Sequence, residues 1–123
     1  MKYKIKYRTR HTLIDAIERL GTSQLLYASD HLKYDQSFLL DLIKNDPSVL
    51  LYMPTDIRIN KDFMFDVIKI LPRTLEYMSE EMQDDMEIVF ECMKEDPYTL
   101  EYASERLRND HYLNMYYNNA LVS

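Results

Sequence analysis

Three histidines, one cysteine and twenty-one carboxylates are the groups of this chain that could bind a metal, attack a carbonyl or move a proton. A metal site needs ligands that recur at short helical or loop spacings. His11, His31 and His111 lie far apart and form no i, i+4 pair. Cys92 stands alone in a hydrophobic run, where a thiol is most simply a small core side chain. A single glycine, Gly21, excludes a Gly-rich phosphate loop or a dinucleotide fingerprint. The carboxylates are numerous, but no apolar pocket surrounds them to raise a pKa for acid–base work. These residues predict no catalytic group, no metal, no cofactor and no small-molecule substrate; the chain is expected not to be an enzyme.

What remains is chemistry of contact. The net charge of −6 conceals an uneven distribution. Lys2, Lys4, Lys6, Arg8 and Arg10 fall in residues 1–10 with no acid among them, alternating with Tyr3, Ile5, Tyr7 and Thr9. A period of two with Tyr, Ile and Thr suits an extended segment. Residues 76–105 hold eleven acids against Lys94. Glu76, Glu80, Glu81, Glu87, Glu91, Glu101 and Glu105 are the candidates there for docking a basic partner, against the plainer reading of a solvated face. Near the C-terminus Tyr112, Met115, Tyr116 and Leu121 add apolar and aromatic surface to a segment that should present a polar outer side. They are the third candidate contact, the alternative being a helix folded back on its own core.

The elements that position these groups follow from a fixed period. Leu25/Tyr27, Leu50/Tyr52, Leu75/Tyr77 and Leu100/Tyr102 recur every 25 residues, and residues 22–46, 47–71, 72–96 and 97–121 align without a gap. Such a period marks a repeat array. Pro47, Pro72 and Pro97 open three copies, and Asp35, Asn60, Asp85 and Asp110 are placed to cap a second helix. Leu25, Ala28 and Leu32 share one face of a first helix, which must stop near Ser29, since copy two has Pro54 there. Phe38, Leu39, Leu42 and Ile43 form the buried stripe of the second helix.

Two helices of about 8 and 11 residues are too short to stand alone in water. They must bury their stripes on neighbouring copies. The expected fold is therefore all-α: a small α-solenoid of about four 25-residue helix-turn-helix repeats forming one domain over residues 11–123. A half-repeat at 11–21 would open it, ended by Gly21 as a helix C-cap, with an extended basic arm at residues 1–10. Tyr27, Tyr52, Tyr77 and Tyr102 fall on a flank, with their hydroxyls expected on neighbouring backbone groups.

YASDHLKYDQSFLLDLIKNDP and YASERLRND, within a consensus P-x-x-L-x-Y-A-S-x-x-L-x-x-D-x-x-F, resemble the short tandem helical repeats grouped as a domain of unknown function. The resemblance covers about residues 12–113, departing at Met53-Pro54 and Met78. That family is common in giant DNA viruses of protists and has no established activity, so the resemblance implies a fold and a viral setting without a mechanism. No apolar run follows the basic N-terminal residues or approaches a membrane span, and there is no second cysteine for a disulfide. The chain is expected to be intracellular and cytoplasmic, in a virion or host cell if viral. Its expected role is protein–protein interaction or assembly, including self-association. The alternative is a nucleic-acid packaging protein gripping phosphates through the basic arm.

Overall fold

The computed structural model describes residues 3–122; Met1, Lys2 and Ser123 lie outside it. The fold is all-α, and the described residues contain no strand. Its order is α1 (Arg10–Leu20), η1 (Thr22–Tyr27), α2 (Asp30–Lys33), α3 (Gln36–Asn45), η2 (Pro47–Tyr52), α4 (Thr55–Arg58), α5 (Lys61–Ile70), η3 (Pro72–Tyr77), α6 (Glu80–Gln83), α7 (Met86–Glu95), η4 (Pro97–Tyr102), α8 (Glu105–Arg108) and α9 (His111–Val122), where η is a 3-10 helix.

Each copy thus contains three elements, not the two expected. The first helix is a six-residue 3-10 helix followed by a break. Ala28, Met53, Met78 and Ala103 are extended, and each gives its N–H to the phased leucine three residues back. A single-turn α-helix then leads into the ten-residue one. Leu25 and Leu32 therefore reach the core from two different helices. Pro54 sits in the extended break, where it replaces no helical hydrogen bond.

Capping follows the sequence closely. Asp35, Asn60 and Asp85 accept the N–H groups of Phe38, Phe63 and Ile88 at 3.1–3.2 Å, and Asp110 accepts that of Leu113. Asp46 and Asp96 cap the 3-10 helices that begin at Pro47 and Pro97. Leu71, without an acceptor, leaves η3 uncapped by a side chain. Thr74 and Thr99 are buried, and their hydroxyls donate to the carbonyls of Leu71 and Asp96.

The chain divides into two compact units, Met1–Arg58 and Ile59–Ser123. In the first, η1 packs on α1 and on η2, and α3 packs on η2. In the second, α5 lies against α7, η3 against η4, and α7 and α9 both pack on η4. Leu25, Leu50, Leu75, Leu100, Phe38, Phe63, Ile88 and Leu113 are all buried. Burying each such side chain contributes about 1.5–3 kcal/mol relative to exposure, which offsets the poor intrinsic stability of helices this short. Cys92 is part of this interior. Burial pushes its thiol up to about 12, with Glu91 adding to the shift, so it stays protonated at neutral pH.

Candidate interaction surface

The basic N-terminal segment is docked on its own chain. Lys6 and Tyr7 give their N–H groups to the Tyr27 carbonyl at 2.8 and 3.2 Å, and Ser29 gives its N–H to the Tyr7 carbonyl at 2.8 Å. These bonds form one isolated parallel bridge between Tyr7 and Ala28. The Lys6 ammonium lies 4.5 Å from the centre of the Tyr27 ring, and Tyr3 meets the same ring edge-on. Tyr7 donates its hydroxyl to Gln24 at 2.7 Å. Arg10 opens α1 instead of closing the arm, and it pairs with Asp35 beneath the Phe38 ring. Lys4 and Arg8 remain exposed and make no ion pair among the described residues, while Lys2 lies outside them.

The acidic candidates separate into two sets, all within the second unit. Glu87 and Asp85 share Lys61, Glu91 pairs with Lys94, and Asp84 pairs with Arg106. Glu76, Glu80, Glu81, Glu101 and Glu105 are exposed and make no ion pair among the described residues. Glu76 and Glu101 occupy equivalent places on the packed helices η3 and η4. Partial burial and then these two carboxylates raise the Tyr102 phenol above its ordinary value. The five carboxylates therefore present net negative charge, whereas Glu87 and Glu91 are neutralised locally.

The C-terminal candidates lie on α9, whose only fully buried residue is Leu113. Tyr116 packs edge-on against Phe90 at 5.0 Å and belongs to the second unit's own packing. Tyr112, Met115 and Leu121 are 75%, 49% and 43% exposed. Met115 stands one period after Phe90, which meets Tyr116 of the following copy. The phased tyrosines are half-buried. Their hydroxyls make no hydrogen bond within the described residues, contrary to the expected backbone partners.

Two residues that satisfy backbone groups of other segments were not among the sequence candidates. Asn114 donates from its amide to the carbonyls of Arg108 and Asp110, both at 2.8 Å. Its signal was present, since it replaces Leu39, Met64 and Val89 in a core column. The Tyr7 carbonyl had no comparable signal.

Charge pairing gives the fold a definite pH response. The Phe38 N–H and then Arg10 hold Asp35 below the usual carboxylate range, and the Ser104 hydroxyl with Arg106 does so for Asp84. At Asp85 partial burial pushes upward, but the Ile88 N–H and Lys61 together outweigh it. A carboxyl lowered by folding contributes stability above its unfolded value, and that contribution is lost as the pH falls through the folded value. The thermal midpoint should therefore drop as the pH passes below about 4. Asp85→Asn retains a capping oxygen without the charge, so the acid drop should become shallower in a melting series. An unchanged drop would mean that Lys61 contributes nothing there.

Among the described residues no helix is long and apolar enough to cross a membrane, and no cluster of three His, Cys, Asp or Glu side chains could hold a metal. No curated protein and no solved structure matches the chain. The model of a family described as a domain of unknown function, DUF4116, matches it twice, over residues 13–58 and 60–110. The two matches fall on either side of the division between the compact units at Arg58 and Ile59. With most of its length covered by these matches, the chain belongs to the DUF4116 family.

Proposed function

We propose that this chain is a non-enzymatic protein-interaction module that binds a basic protein partner through its second unit. The observation that supports this reading is the combination found there: α9 exposes Tyr112, Met115 and Leu121, and five carboxylates make no ion pair among the described residues. Exposed apolar side chains supply contact area, and like charges elsewhere on the unit select an oppositely charged partner and speed the encounter. A place in a viral particle is part of the same proposal and is supported by the sequence resemblance alone.

The test is affinity capture with three chains at two salt concentrations. Wild type should retain a basic protein at low salt. Glu76→Lys with Glu101→Lys should lose it, and so should Met115→Glu. Equal recovery with all three chains would overturn the reading. A nucleic-acid packaging role is the second reading; it would use Lys4 and Arg8, because Lys6 and Arg10 are engaged inside the chain. Binding of a duplex or single strand that is abolished by Lys4→Glu with Arg8→Glu would favour it over the first.

A further inference from the structure

At the junction of copies three and four, one copy meets the next through a backbone hydrogen bond. Ser104, at the break after η4, gives its N–H to the carbonyl of Gln83, the last residue of α6, at 2.8 Å. Its hydroxyl then reaches Asp84 at 2.7 Å. The donor at the break of copy four thus meets an acceptor at the end of copy three's short helix. At the first junction Pro54 has no N–H, so the Lys33 carbonyl cannot be met in this way.

Each end of such a series would leave one of these groups open. Ser29 is the break donor of copy one, and among the described residues no helix equivalent to α6 precedes it. Its N–H is taken by the Tyr7 carbonyl at 2.8 Å, the same length as the interior bond. Arg108 stands one period after Gln83, so its carbonyl is the acceptor of the last copy. It is taken by the Asn114 amide, also at 2.8 Å. Asn114 reaches it from a position that is Leu, Met or Val in the other three copies. Ser29 is buried, so an unpaired N–H there is costly, whereas Arg108 is exposed. An open pair of complementary edges invites another chain to supply the partner.

We infer that the segment around Tyr7 and the Asn114 side chain are terminators, which close the two backbone edges through which a second copy of this chain would otherwise continue the series. With both removed, the Ser29 N–H of one molecule can meet the Arg108 carbonyl of another in the manner of Ser104 and Gln83. Contacts of that kind are heterologous and propagate unless rotation closes them. The exposed Met115 would then be covered as Phe90 is. In the intact chain the apolar face of α9 is open while its backbone edge is shut, so a partner there engages side chains and not the repeat junction.

Sedimentation velocity over a concentration series tests this with four full-length or near-full-length chains. They are wild type, a deletion of residues 1–8 that keeps the Thr9 cap of α1, Asn114→Leu, and the combination. The inference expects the first three to remain monomeric and the combination to grow in mass with concentration. Added peptide of residues 1–8 should reverse that growth. Lys6→Pro and Tyr7→Pro together with Asn114→Leu, a combination that removes both donors to Tyr27 that hold the segment without shortening the chain, gives a second opening should the deletion unfold. Monomers in both combined variants with helical circular dichroism would overturn the inference. So would wild type associating as readily as they do.

Discussion

Phe63→Ala is expected to lower the unfolding free energy by about 3–5 kcal/mol, the range for removing a large aromatic side chain from a packed interior. Phe63 is almost fully buried, at the start of α5 and directly after the turn capped by Asn60. It shares the interior of the second unit with Met64, Val67, Ile88 and Val89. Helices of ten residues have little stability of their own, so a cavity at this point weakens the contact on which α5 depends. An ordinary domain has a margin of about 5–15 kcal/mol, so this change alone could consume a large part of it. Phe65 is the internal comparison, being half-buried on a surface groove with Lys69, Glu91 and Glu95. Urea unfolding of the two alanine variants measures the difference. A loss at Phe63 no larger than that at Phe65 would contradict the assignment of the phased aromatic to the interior.

The second large effect comes from backbone conformation. Gly21 has φ +104° and ψ 167°, a region that residues with a Cβ rarely enter. It ends α1 by giving its N–H to Ile17 at 2.8 Å and starts η1 by accepting from Gln24 at 3.2 Å. Gly21→Ala should therefore destabilise by about 1–3 kcal/mol through strain. A Cβ placed there meets nothing within 4 Å, so crowding adds nothing to this value. The usual benefit of stiffening the unfolded chain, about 0.4–1 kcal/mol, offsets only part of it. A D-alanine at the same site, accessible by chemical synthesis, should instead be tolerated, since its mirror preference is for positive φ. Thermal melts of the two variants separate strain from the loss of some unrecognised contact. Equal destabilisation by both would rule out strain.

Much of the architecture could be read from single residues because the period repeats each test four times. Leu25, Leu50, Leu75 and Leu100 are all buried, as are Phe38 and Phe63, and the four Asp or Asn caps all accept the N–H three residues on. An apolar side chain excluded from water, a capping oxygen and a glycine at positive φ are each decided within a few residues of sequence. The division of the first helix into a 3-10 helix and a single α-turn was not legible. Bonds from i to i+3 and from i to i+4 place apolar residues on nearly the same stripe over one or two turns, and only closing the break at Ala28 or Met53 tells them apart.

The candidate contact surfaces show the same boundary. Alternation in residues 1–10 pointed to an extended segment; the described residues 3–9 lie outside any helix, while Arg10 opens α1. Their place depended on Tyr27 and Ser29 offering a carbonyl and an N–H across a distance of some 20 residues. Acidic composition identified Glu76 and Glu87 equally. Only the position of Lys61 distinguished the neutralised carboxylate from the one left unpaired. Asn114 looked like a weakened core residue until the Arg108 carbonyl appeared beside it. The sequence by itself determined which side chains turn inward and where helices start, since those depend on local chemistry repeated at a fixed spacing. Which polar groups are already satisfied, and so which remain exposed without an ion pair, was decided by tertiary structure, because hydrogen bonds and ion pairs depend on distances between segments that no local pattern encodes.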